Sequence, residues 1–66
     1  MSLKTIIPLL EPKTWITVYT LFGQFYGSVR TSEHPETTLT LQASKGMLYI
    51  ELDEIKALQI EPDREF

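Results

Sequence analysis

The residues that could do chemistry in this chain are few and far apart. Glu33, Glu36, Glu51, Asp53 and Glu54 are the carboxylates closest to one another. Such a set could serve as an acid–base pair or hold a hard divalent cation. Nothing apolar surrounds them to tune such a pair, so solvated turns and a sheet edge are much the stronger reading. His34 is the single histidine, set between Glu33 and Pro35-Glu36. It has no second histidine to share a metal and no serine or cysteine nucleophile at a recognisable spacing. Its plain reading is a loop residue; its sharper one is a ring that stacks on or bonds a base. Lys4, Lys13, Arg30, Lys45, Lys56 and Arg64 are scattered and form no basic run. Trp15, Tyr19, Phe22, Phe25, Tyr26 and Tyr49 could form a stacking platform for bases, or fill a small core. No nucleophile, base and stabiliser occur together, so the expectation is a non-enzyme with no catalytic residue, no cofactor and no metal site.

The elements that must position these side chains are mostly strands. Leu3, Ile6, Ile7 and Leu10 recur at i, i+3, i+4 and i+7, one helical face, and Ser2 can cap it. Pro8 interrupts that pattern, so a short helix or turn is expected over about 2–11. From Trp15 the period changes to two. Trp15–Phe22 is dense in β-branched and aromatic residues, and Gly23-Gln24 should break it. Phe25–Thr31 follows with Gly27 inside it, the mark of a sharp bend or close backbone approach. Residues 32–36 read as a polar loop. Thr37–Gln42 and Met47–Leu52 alternate as strands around a turn at 43–46. Asp53-Glu54 makes a short corner, and Ile55–Ile60 closes the set before a polar tail, 61–66. The fold class expected is all-β: a short N-terminal helix or turn, then a five-stranded, strongly bent antiparallel sheet rolling into a small barrel. The whole chain, 1–66, is one domain.

The length, 66 residues, sets a further constraint. A domain of this size buries only about 60% of its unfolded surface and usually needs a staple. Cysteine is absent, which removes disulfides, and a lone histidine removes the usual metal. Oligomerisation remains. The last strands support it. Leu48, Ile50 and Leu52 lie on one face and Met47, Tyr49 and Glu51 on the other, with both faces largely apolar. A lone domain would blunt such an edge with charge or proline. No apolar run approaches the roughly 20 residues that cross a bilayer, and the N-terminus does not read as a signal peptide. The expected location is cytoplasmic, with no membrane partner. The formal charge of −3 disfavours, without excluding, an RNA partner.

In order and spacing these segments resemble the Sm-like (LSm/Hfq-type) small β-barrel family. Leu9-Leu10-Glu11 resembles the end of its N-terminal helix, and Ile16-Thr17-Val18 with Phe22-Gly23 its first strand and turn. Phe25-Tyr26-Gly27-Ser28-Val29 resembles its bent second strand, and Thr38-Leu39-Thr40-Leu41 the start of its third. Ile50 to Leu58 resembles its strand–corner–strand ending. The resemblance implies a cyclic homo-oligomer in which the fourth strand of one copy pairs with the fifth of the next. Met47, Leu48, Tyr49, Ile50, Ile55, Ala57, Leu58 and Ile60 would then form the interface. It also implies single-stranded RNA as a partner, with Arg30, His34, Thr38 and Tyr26 as candidate contacts. The chain departs from the family at the sites that matter for RNA. His34 and Thr38 stand near the expected Asp or Asn positions, and Asp53-Glu54 stands where the family has an Arg-Gly or Lys-His pair. Two carboxylates there repel phosphate, which leaves two functions open: a ring with weak or non-standard RNA binding, or a homo-oligomeric structural or adaptor module with none.

Overall fold

The computed structural model describes residues 2–61. A short helix α1 (Leu3–Ile6) runs into a 3₁₀ turn over Ile7–Leu9. Five strands follow: β1 (Trp15–Thr20), β2 (Gly23–Arg30), β3 (Thr38–Ala43), β4 (Gly46–Glu51) and β5 (Ile55–Ile60), with a 3₁₀ turn at Leu52–Glu54 between the last two. Three of the four residues of the expected helical face, Leu3, Ile7 and Leu10, dock on the core. Ile7 is buried, and Leu3 and Leu10 pack against the core around it. Pro8 does not break the segment because it sits in the first turn of the 3₁₀ stretch, where its missing N–H has no helical partner to lose.

The five strands form one antiparallel sheet in the order β4-β3-β2-β1-β5. The first hairpin corrects the sequence reading. The turn is Leu21-Phe22, and Gly23 already belongs to β2. Thr20 decides this: its hydroxyl accepts the Phe22 N–H at 3.0 Å and donates to the Gly23 carbonyl at 3.0 Å. Gly23 then enters the strand at φ 136°, where side chains are strained. Leu21 and Phe22 are left at the tip, 77% and 76% exposed.

β2 is the strand that changes partner along its length. It pairs with β1 through Gly23–Ser28 and with β3 only through Ser28–Arg30. Gly27 lies at the changeover. A Cβ there would come within 2.7 Å of the Gln42 carbonyl oxygen and 3.3 Å of Leu41 Cβ. The obstacle is thus the backbone of the neighbouring strand β3, the close approach that a glycine inside a strand signals.

The sheet packs a core of Ile16, Val18, Val29, Leu39, Leu41, Ile50, Leu52 and Ile55 together with Ile7. The sheet stays open. β4 pairs only with β3, and β5 only with β1. The β1–β5 register slips between Tyr19 and Thr20, which leaves Lys56 unmatched. No described helix is long and apolar enough to cross a membrane.

Candidate functional site at the β2–β3 loop

The loop from Thr31 to Thr37 is fixed by its own backbone. The His34 carbonyl accepts the N–H of Thr37 at 3.0 Å and of Thr38 at 2.8 Å. The His34 N–H donates to Ser32 Oγ at 3.1 Å. The Leu52 N–H donates to the Thr37 carbonyl at 2.9 Å, which ties the loop to the corner before β5. His34 therefore organises the loop through its main chain, while its imidazole stays exposed.

This loop overhangs a cleft of about 280 Å³, lined by Thr31, Ser32, Glu33, His34, Thr38, Thr40, Met47 and Tyr49. On its other side lies a second cleft of about 220 Å³, between the N-terminal segment and the sheet. Ile7, Pro8, Leu10 and Pro35 give that cleft its apolar wall, and Arg30 its charge. Thr31, Ser32, Thr38 and Thr40 border both. Hydroxyls, one imidazole, one phenol and the Met47 side chain line the first cleft, and Glu33 is the only carboxylate among them. That set can hydrogen-bond and stack on a planar polar group. It offers a phosphate no cation except Arg30 from next door.

Of the residues expected to touch RNA, His34 and Thr38 come together, and Arg30 lies across the shared hydroxyls. Tyr26 does not join them. It stacks on Trp15 at 5.3 Å between ring centroids and 27° between planes. There it borders a separate cleft with Thr17, Gln24, Phe25 and Glu61. Thr40, Ser32 and Tyr49 were not foreseen as contacts in this cleft. The signal was available: a turn joining Ala43 to Gly46 sets Thr40 opposite Tyr49 and turns both away from Leu39 and Leu41.

The acidic corner is partly neutralised. Lys4 from α1 makes an ion pair with Asp53. Glu51 and Glu36 lie beside it. Among the described residues no group of three histidine or acidic side chains is placed to hold a metal. The residues expected at an oligomer interface divide in two. Ile50 and Ile55 are buried within the subunit, with Leu48 and Leu58 packed against the same core. Tyr49, Ile60 and Met47 are 71%, 56% and 39% exposed, and Ala57 is also exposed. Compared with known proteins, the chain matches no family model, no curated protein and no solved structure.

Proposed function

We propose that the chain is the subunit of an Sm-like homo-oligomeric ring, closed as a small barrel, with weak, non-standard binding of single-stranded RNA at the β2–β3 loop. The observation that carries this reading is the strand order. β4 and β5, consecutive in the chain, stand at opposite edges of one bent sheet, each with a single neighbour. Every second N–H and C=O on each edge points away from its only partner. Joining β4 of one copy to β5 of the next satisfies both edges with one repeated contact, and a contact of that head-to-tail kind closes into a ring when its rotation permits. The exposed side chains of Met47 and Ile60 on those strands fit burial by a neighbour.

RNA binding rests on the loop cleft, where His34, Thr38 and Tyr49 supply stacking and hydrogen-bonding groups. The reading includes a cytoplasmic location and no catalysis. A structural or adaptor ring without nucleic acid is the second reading. It is favoured by the charge of −3 and by Glu33 in the cleft itself. Titrations with oligo-U and oligo-A at two salt concentrations separate the two. Saturable binding that weakens with salt supports the first reading. An assembled protein that binds neither leaves the adaptor. A chain that remains a monomer contradicts both.

A further inference from the structure

Three residues form a straight row across the outer face of the sheet. Arg30 on β2 pairs with Thr40 on β3, and Thr40 pairs with Tyr49 on β4. Directly paired residues on adjacent strands project to the same side. The row therefore reads cation, hydroxyl, aromatic ring. With strands spaced about 4.8 Å apart, Arg30 and Tyr49 start roughly 10 Å from each other. Between them Thr40 is only 4% exposed and forms a floor shared by both clefts.

The two ends of the row are available. Arg30 is exposed and makes no ion pair among the described residues. Tyr49 is 71% exposed. Its side chain stands on the sheet face rather than in the edge that a neighbouring copy would occupy. The Thr40 hydroxyl makes no hydrogen bond to another side chain among the described residues, and Thr40 lines the cleft. Ser32, Thr38 and the exposed His34 ring surround it.

We propose that this row is a one-nucleotide site, taking a nucleoside 5′-phosphate with the base on Tyr49 and the phosphate on Arg30. The inference deepens the nucleic-acid half of the proposed function and does not depend on the ring. Tyrosine offers a face on which any base can stack. A guanidinium binds phosphate oxygens in charge-assisted pairs. The hydroxyls of Thr40, Ser32 and Thr38 lie between, where the sugar and base edge would fall. A nucleotide presents a planar ring, hydroxyls and an anion in that same order. One cation per subunit makes each contact weak, and Glu33 at the cleft wall opposes a second phosphate. The site thus favours a single nucleotide, free or at a strand end, over a continuous backbone.

The test is a titration of the full chain with adenosine, AMP, UMP and a 5′-phosphorylated oligo-U, read by backbone amide chemical shifts. Saturable shifts at Arg30, Thr40 and Tyr49 with AMP or UMP are expected. Arg30→Gln should weaken the monophosphates about ten-fold and leave adenosine unchanged. Tyr49→Leu should weaken adenosine and AMP alike, by about five-fold or more. Both positions are exposed, so the fold is kept, and an unchanged amide spectrum elsewhere verifies it. Lys45→Gln, which removes the same charge from the β3–β4 turn, should have no effect. An equal loss with Lys45→Gln, or no shifts in the row, overturns the site. If oligo-U binds while monophosphates do not, the one-nucleotide site fails and the RNA reading survives. If monophosphates bind and oligo-U does not, the site stands for free nucleotides, its strand-end role is overturned and the RNA reading fails.

Discussion

At Gly27 a single hydrogen decides how closely β2 and β3 can approach. A methyl group would have to lie 2.7 Å from the Gln42 carbonyl oxygen, which is backbone and cannot swing aside. Gly27→Ala should therefore destabilise the subunit by about 1–3 kcal/mol, read as a lower urea midpoint, and a larger side chain by more. Lys4 is the opposite case. Its pair with Asp53 is conspicuous, but the two side chains are 58% and 75% exposed. Solvent screens such a pair, so Lys4→Gln should change stability by no more than about 1 kcal/mol in the same measurement.

The elements explain which parts of this fold could be read from the residues and which could not. β5 spans Ile55–Ile60 as expected, and Leu3, Ile7 and Leu10 of the N-terminal face dock as their spacing requires. Both signals are periodic and survive small errors of boundary. The first turn was placed two residues late because glycine is the stronger turn former in general, whereas here the Thr20 hydroxyl clasps Leu21-Phe22 and glycine serves as the strand's entry. The loop cleft was half legible. His34 and Thr38 are neighbours in the chain. Thr40 and Tyr49 join them only through the β3–β4 register, a non-local fact. The edge strands likewise looked apolar on both faces, but alternation cannot say which apolar face a bent sheet closes over. Ile50 and Ile55 belong to the subunit's own core, at 7% and 6% exposure. They are poor positions at which to probe assembly, because a proline there would unfold the subunit as well. Ile60 is the better probe. It is 56% exposed on β5, so Ile60→Lys should leave the urea midpoint of the isolated subunit nearly unchanged while blocking a neighbour's β4.

For the whole molecule, the proposed ring would link charge to assembly. Each copy places Asp53 and Glu54 in the turn before β5, against the loop that shapes the cleft. In a ring these carboxylates repeat, and a narrow opening concentrates their field. Asp53→Asn with Glu54→Gln removes two negative charges per copy and releases Lys4. Affinity for oligo-U should then rise, with a steeper dependence on salt as phosphate contacts are added. Fluorescence anisotropy at two salt concentrations reads both, and unchanged affinity would mean that the corner does not face the ligand. The reading as a whole stands on β4 and β5 being two halves of one contact. The measurement closest to that claim is the molar mass in solution, by light scattering at micromolar concentration, of the native chain beside Ile60→Lys. The native chain should have a single mass that is a whole multiple of 7.6 kDa, and the variant should fall to 7.6 kDa with its fold retained. A native chain at 7.6 kDa, or a variant that assembles as the native chain does, would contradict the account.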